Sequence, residues 1–359
     1  MARFRFPLAF LLVGFAPLAA SAQHDYTGFT ITQPAKDIYT YIGPECTPSG
    51  LVTGNVTAII GSDSVFIVDA GHFPSSARKM IAHLKSVTQK PVKHLLITHW
   101  HQDHVMGAIA FKKEWPHLEI LMHPFTAKEL AKEENGSRYS ADSMKQLPPA
   151  IEQLRGILAS GKLPNGNAIT DAQREDLTER VAAFSASVKE APEMEYVPPT
   201  RTIDRDTEIS IGKRKVQIRF LGEGNTEGDL VVYVPDTKTL LSGDMIVYPT
   251  PFALDSHFTP WVATLDKLAA IDAAKIIPGH GPPMSDKSYL NDLRRLFSSL
   301  EEQTRTLVSS GVPKDQAQSK IDVAWFREKY VTSKFREGSF LRWFLRPVVE
   351  NAYKAAEKK

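Results

Sequence analysis

A run of metal-binding residue types directly follows an apolar strand, and this feature constrains the chain more than any other. The segment VKHLLITHWHQDH is apolar through Ile97 and then places His99, His101, Asp103 and His104 within six residues. Zinc prefers imidazole and carboxylate ligands and needs several of them to converge. Residues two apart on extended backbone share a face, so His99 and His101 are predicted to bind one ion together. Asp103 and His104 follow as the chain turns and are predicted to face a second position.

The rest of the chain alternates between strand and helix patterns. GFTITQP and IYTYIGP alternate in character and end at turn residues, and VTAIIGSDSVFIVDAG indicates two strands joined by a turn. Ala77, Met80, Ile81 and Leu84 then recur at helical spacing before the strand VKHLLITH. Strands that alternate with helices predict a layered α/β fold, with sheet inside and helices outside.

A helical stretch interrupts this alternation between about residues 125 and 195. Two amphipathic faces are predicted there, one comprising Ile151, Leu154, Ile157 and Leu158 and the other comprising Leu177, Val181, Phe184 and Val188. We therefore predict a main domain of residues 23–285 that carries this insertion, and a C-terminal helical extension of residues 286–359. Because the insertion lies between two segments with candidate ligands, it is expected to shape the substrate mouth.

The first 22 residues have the pattern of a secretory signal peptide. Two arginines precede the apolar stretch PLAFLLVGFAPLAA, and Ala20, Ser21 and Ala22 form a small-residue cleavage site before Gln23. The alternative is an uncleaved membrane anchor, but the stretch is short for a span and contains two prolines. We predict cleavage, a periplasmic or secreted location, and no stable membrane anchor.

Composition argues against nucleic acid as a partner. The chain has 43 basic and 41 acidic residues, a formal net charge of +2, and no long run of either sign. Its one cysteine, Cys46, has no second cysteine with which to form an intramolecular disulfide. A reactive thiol or a metal ligand is one interpretation of Cys46, and a small, partly buried side chain is the favoured one.

The histidine-rich segment belongs to a larger pattern of motifs. THWHQDH resembles the HxHxDH signature of the metallo-β-lactamase fold superfamily, and three other landmarks appear in that family's order: Asp69 in FIVDAG, Asp244 in LLSGDM and His280 in IIPGHG. The resemblance covers roughly residues 28 to 285, apart from the insertion. It implies a four-layer αββα sandwich with a metal pair at the strand ends.

The resemblance also implies a role for each of these residues. Carried over by position, His99 and His101 belong to a first metal site, and Asp103, His104 and His280 belong to a second. Asp244 bridges the two sites, and Asp69 orients ligands without binding metal. The implied cofactor is Zn²⁺, as one or two ions. Asp103 is the implied catalytic residue, which ligates the second ion and also holds the nucleophile.

One landmark departs from the family's pattern. The family places a third histidine of the first site in a GHTxGD-like turn, whereas this chain reads GNTEGD, with Asn225 at that position. An amide oxygen is a harder and weaker donor to zinc than imidazole. We therefore predict that Asn225 is a weak ligand and that the first site is weakened. Glu223 or Glu227 is the alternative third ligand.

The activity implied by the resemblance is hydrolysis of a small-molecule substrate. A metal-bound hydroxide would attack an ester, lactone or amide carbonyl, and the metal would stabilise the oxyanion. A β-lactam is one such amide, but the fold hosts many chemistries and does not by itself select a substrate. Two other classes stay open: thiol oxidation, which the incomplete first site disfavours, and a non-catalytic periplasmic metal-binding or accessory protein. Nucleic-acid cleavage is disfavoured by export and by the charge balance.

For two tryptophans and four histidines near these motifs, a role in the site is weighed against a structural role. Trp100 and Trp261 either line the substrate mouth or pack in the core, and neither is included among the site residues. The remaining histidines considered, which are His72, His94, His123 and His257, are predicted to be structural rather than metal-binding.

Overall fold

The apolar strands of the sequence assemble into two β-sheets with helices on their outer faces. The computed structural model describes residues 26–45, 53–132 and 147–357. The predicted signal peptide and Cys46 lie outside these ranges. Within them, no helix is both long and apolar enough to cross a membrane.

The first sheet has seven strands in chain order, and its second half is parallel. β1 to β4 pair antiparallel, whereas β4, β5, β6 and β7 are joined by parallel ladders. Parallel strands end at one edge of a sheet, which is where this fold places loops that carry ligands. The strands are β1 (Thr30–Ala35), β2 (Ile38–Ile42), β3 (Val56–Ile60), β4 (Val65–Val68), β5 (Val92–Leu96), β6 (Glu119–Met122) and β7 (Arg201–Thr202).

The second sheet has five strands in the order β12-β11-β10-β9-β8. Its hairpins are antiparallel, and only β11 and β12 pair in parallel among the described strands of this sheet. The strands are β8 (Thr207–Ile211), β9 (Arg214–Phe220), β10 (Leu230–Val234), β11 (Thr239–Leu241) and β12 (Lys275–Ile277).

The two sheets face each other across a shared apolar core. Phe66 and Val68 of β4 point into this core together with Val232 of β10. Their chain neighbours Ile67 and Val231 belong to the outer cores, as the period of two along a strand requires. Because both faces of these strands are covered, β3, β4 and β10 are buried throughout, which explains their continuous apolar sequence.

Helices cover the outer face of each sheet and complete the predicted four-layer sandwich. α1 (Pro74–Val87) and α3 (Ala108–Glu114) pack on the first sheet. α7 (Phe258–Ala270) and α8 (Ser288–Ser309) pack on the second. The segment after residue 286, predicted as an extension, therefore begins with a helix of this outer layer. It continues as α9 (Lys314–Ala317), α10 (Ala324–Tyr330), α11 (Lys334–Phe340) and α12 (Arg346–Glu357).

The interruption between β6 and β7 of the first sheet is helical, as the sequence predicts. It contains α4 (Pro124–Ala131), α5 (Leu147–Ser160) and α6 (Asp171–Glu190), and residues 133–146 are outside the described ranges. The predicted second amphipathic face is only half-buried. The side of α6 that is buried instead carries Ala183, which packs with Phe73 and Met106. Small residues are buried on this side of α6 because the helix lies close against the main domain.

Candidate metal centre

The candidate ligands, and Asp69 beside them, follow the carboxyl ends of neighbouring strands. Asp69 follows β4, His99 follows β5, and Asp244 and His280 follow the parallel pair β11 and β12. The short helix α2 (Gln102–Val105) carries Asp103 and His104. Parallel strands therefore bring residues that are far apart in the sequence to one edge of the sandwich.

These side chains form two groups of potential ligand atoms. His99, His101 and Asp244 each offer one atom within 4.8 Å of the others, and Asp103, His104 and His280 do the same. The structure thus brings together the residues that the sequence assigns to the first and second sites.

Asp244 lies between the two groups and presents one oxygen to each. Its Oδ2 is 3.7 Å from His99 Nε2, and its Oδ1 is 3.2 Å from His104 Nε2 and 3.4 Å from His280 Nε2. Close packing around this carboxylate depends on glycine, because a Cβ at Gly279 would lie 1.9 Å from Asp244 Oδ1. Asp244 therefore has the position that a bridging carboxylate requires.

The donor atoms at the first group are arranged to bind a metal ion rather than to form hydrogen bonds with one another. His99 is fully buried, yet its Nε2 has no hydrogen-bond partner among the described residues, and neither does Asn225 Oδ1. Buried polar atoms without partners are costly, and a coordinated cation satisfies them. Imidazole and carboxylate are the donors that zinc prefers.

The Asp69 carboxylate holds His104 in one orientation. Its Oδ2 is 2.9 Å from His104 Nδ1 and accepts from Thr98 Oγ1 at 3.0 Å, while its Oδ1 accepts from the Thr98 backbone N–H at 2.8 Å. His104 Nδ1–H can therefore donate to Asp69, which leaves Nε2 free to face the other ligands. Burial raises the pKa of Asp69, although the neighbouring His104 lowers it.

A second carboxylate, Asp255, orients His101 and was not anticipated from the sequence. Asp255 Oδ2 lies 3.3 Å from His101 Nε2, and the opposite ring atom, Nδ1, lies 3.3 Å from Asn225 Nδ2. Nδ1 is thus the ring atom on the side of the candidate ligands. No motif spacing signals Asp255, because it lies in a loop whose path depends on tertiary packing.

Asn225 occupies the place of the missing histidine and is 0% exposed. Its amide lies beside His101, as expected of a residue that faces the first group. Glu223 and Glu227 both contact His257, at 3.2 Å and 3.3 Å, and neither belongs to a ligand group. Among the described residues, Asn225 is therefore better placed than either glutamate to complete the first group.

Asp229 fixes the turn that presents Asn225, a role that the sequence analysis did not assign. It accepts from the Thr226 backbone N–H at 2.6 Å and from Thr226 Oγ1 at 3.1 Å. Burial raises its pKa to about 7, although the hydrogen bonds from Thr226 lower it. The motif GNTEGD contains a pattern that indicates this role, because an aspartate three residues after a threonine can close a turn through its side chain.

The charges of the two groups are strongly coupled in the metal-free state. Burial lowers the pKa of His99 well below its usual value, and the nearby His104 lowers it further. Burial also lowers the pKa of His280, but Asp244 and Asp103 outweigh it and raise the value to about 9. His280 is therefore protonated near neutral pH without metal, and metal binding must displace that proton.

The other side chains singled out in the sequence lie outside both ligand groups. Trp100 and Trp261 are buried in the outer cores of the first and second sheets, and the ring centroid of Trp100 also lies 4.8 Å from that of His101. The four other histidines weighed in the sequence, which are His72, His94, His123 and His257, belong to neither group. His94 contacts Glu119 at 2.8 Å, and His123 accepts from the Phe125 backbone N–H at the start of α4.

An αββα sandwich with paired histidine and aspartate groups at its strand ends defines a class of metal-binding proteins. The chain belongs to the metallo-beta-lactamase superfamily, whose family model matches residues 49–280. This confirms the resemblance drawn from the motifs.

Two relatives and two solved structures show how far the similarity extends. The linear primary-alkylsulfatase of Pseudomonas sp. (strain ATCC 19151) is 24% identical over 79% of this chain, and the chain spans only 54% of that protein's length. The probable metallo-hydrolase YqjP of Bacillus subtilis (strain 168) is 21% identical over 69% of this chain and 73% of its own. Metallo-β-lactamases from Pontibacter korlensis and Erythrobacter litoralis superpose with TM-scores of 0.53 and 0.52 at 18% and 16% identity. They cover 75% and 76% of this chain and 99% and 96% of their own, which confirms the fold.

Proposed function

We propose that this protein is a zinc-dependent hydrolase that cleaves an ester bond of a small molecule outside the cytoplasm. The observation that carries the proposal is the pair of ligand groups that meet at Asp244, in a chain of the metallo-beta-lactamase superfamily. The location rests on the leader pattern of residues 1–22.

The donor set divides naturally between two ions. His99, His101 and Asp244, with Asn225 beside them, would hold the first, and Asp103, His104 and His280 would hold the second. When bound there, zinc supplies Lewis-acid chemistry that lowers the pKa of water and stabilises negative charge on a substrate oxygen.

The chain's own residues position the ligands and the attacking water. Asp69 accepts the proton on His104 Nδ1, and Asp255 accepts the proton on His101 Nε2, so each ring turns its other nitrogen toward the centre. Asp103 Oδ2 lies 3.0 Å from His280 Nε2, at the second group, and in this proposal it would accept a hydrogen bond from the attacking water. That contact would orient the water toward the substrate.

An ester is favoured over an amide by one of the relatives. The alkylsulfatase match makes a sulfate ester a specific candidate beside a carboxylic ester. The solved β-lactamase structures are too distant in sequence to support a β-lactam. Lactones and amides are therefore the comparison substrates in the test.

The test is a hydrolysis panel run on mature protein beginning at Gln23. Carboxylic esters, alkyl sulfates, lactones and β-lactams are compared for wild type, Asp103→Asn and the surface variant Asp236→Asn. We expect ester turnover that falls by roughly 100-fold or more in Asp103→Asn, as for loss of a residue that acts at the reacting atoms. Asp236→Asn should match wild type, because Asp236 contacts Arg214 on the surface. Zinc binding without turnover of any substrate would refute the proposal in favour of a non-catalytic metal-binding protein.

A further inference from the structure

A cavity of about 320 Å³ adjoins the second ligand group through His280. The loop 247–252, which follows Asp244, forms one side, and α11 forms another. Phe252 borders both regions, since its ring centroid lies 5.6 Å from that of His280. A molecule held in this cavity would therefore end beside the candidate metal centre.

Most of the cavity wall is apolar. Ile42, Val247, Pro249, Phe252 and Pro282 line it. The volume is at the lower end of pockets that bind small molecules, which are typically about 300–1,000 Å³. Apolar walls of this size favour an apolar portion of a ligand, because they remove its surface from water.

Away from His280, the cavity is lined by two charged residues, and these neutralise each other. Arg336 donates from Nε to Glu45 Oε1 at 2.7 Å and from Nη2 to Oε2 at 3.1 Å. Their side chains are 28% and 39% exposed, so the pair lies on the solvent side of the cavity. A bidentate arginine–carboxylate pair leaves little net charge for a ligand. This side of the cavity therefore favours an uncharged group over an anion.

Two buried polar atoms of the lining, Ser339 Oγ and His280 Nδ1, have no hydrogen-bond partner among the described residues, and Ser339 Oγ is the one outside the ligand groups. Ser339 is 1% exposed. Serine in a helix commonly bonds to a carbonyl of the preceding turn, and a buried hydroxyl without a partner is destabilising. Ser339 is one of the residues that line the cavity, which makes its hydroxyl a candidate partner for a ligand group there.

We propose that this cavity is the specificity pocket, which takes an uncharged, apolar arm of the substrate that carries one hydrogen-bonding group within reach of Ser339. This inference rests on the proposed function and extends it to the substrate class. Glu45 and α11, which form the solvent side of the pocket, lie outside the residues matched by the family model, whereas the loop 247–252 lies within them.

The test measures binding separately from turnover. Straight-chain alcohols from butanol to decanol are titrated into the full mature, zinc-loaded protein by calorimetry. Ser339→Leu fills the cavity, and Ser339→Ala removes only the hydroxyl. The matched control is Ser76→Ala, a buried helical serine of α1 whose Oγ donates to Thr27 O at 3.0 Å.

We expect saturable binding of the alcohols to the wild-type protein. Ser339→Ala should weaken it about fivefold, the scale of one neutral hydrogen bond, without lowering the melting temperature. Ser339→Leu should weaken it further, and Ser76→Ala should not change it. Absence of saturable binding to wild type, or unchanged binding in both Ser339 variants, would overturn the inference.

Turnover separates this inference from the proposed function. If alcohols bind as expected but no ester is cleaved, the proposed hydrolase function fails and the pocket stands. If esters are cleaved and Ser339→Leu leaves KM unchanged across chain lengths, the pocket fails and the hydrolase function stands.

Discussion

Replacing Asp69 with asparagine should weaken metal binding at the second site while leaving the backbone intact. Asp69 has a φ of 60°, in the left-handed region, where asparagine is one of the few residues tolerated without strain. Its Oδ1 must remain an acceptor, because Thr98 N–H, at 2.8 Å, can only donate. The new amide nitrogen is therefore directed at His104 Nδ1.

That geometry determines the size of the effect. An amide N–H beside His104 Nδ1 forces the ring proton onto Nε2, the atom that faces His280 at 3.2 Å. Loss of one charge-assisted hydrogen bond costs about 1.5–3 kcal/mol. Mutation of residues that orient metal ligands costs roughly 10- to 100-fold in affinity, or about 1.4–2.8 kcal/mol. Both arguments predict that the affinity of the second site for zinc falls about 30-fold.

The assay is competition for zinc against a fluorescent chelator, with wild type and Asp69→Asn compared under identical conditions. Asp37→Asn is the matched control, because Asp37 also has a left-handed φ, of 59°, but lies in the turn between β1 and β2. It should bind zinc as wild type does. Equal affinity in wild type and in a folded Asp69→Asn variant would refute the argument that Asp69 sets the tautomer of His104.

Four further predictions concern the first site and the segments around it. Asn225→His should tighten zinc binding by roughly tenfold or more, which dialysis followed by metal analysis measures; equal retention by wild type would contradict it. Asp244→Ala should lose more metal and activity than Asn225→Ala, and equal losses would make Asn225 a full ligand. In metal-free protein, the pKa of Asp229 rises from 3.8 to about 7 on folding, so the native state binds the extra proton and stability falls as pH rises between these values. Asp229→Asn should remove a slope of about 1.4 kcal/mol per pH unit from pH-dependent melts, and an unchanged slope would contradict the assignment. Deleting the helical insertion should alter substrate preference in the panel, and an unchanged preference would contradict its role at the mouth.

The fold was largely predictable because its signals are local. Burial on both faces imposes continuous apolar sequence on β4 and β10, and the alternation with helices follows directly. The side of α6 that is buried was not predictable. Ala183 is buried because α6 lies close to Phe73 and Met106, and no periodicity within the helix encodes that neighbour.

The candidate ligands were also accessible from the sequence, since His99 and His101 share one short motif and Asp244 and His280 follow strands. Asp255 was not, because its carboxylate reaches His101 from a loop more than 150 residues away in the chain. The cavity beside His280 was also not predictable from the sequence. Glu45 and Arg336, at opposite ends of the chain, become neighbours only in the folded structure.

The central claim, that zinc held by the two groups around Asp244 drives ester hydrolysis, is tested most directly by zinc titration of chelated protein. Zinc content and the initial rate of ester hydrolysis are measured in the same samples of wild type and Asp244→Asn. We predict that metal-free wild type is inactive, that its rate rises with bound zinc and saturates, and that the variant neither retains zinc nor gains activity. An ester hydrolysis rate that is unchanged by chelation, or a fully active Asp244→Asn, would contradict the claim.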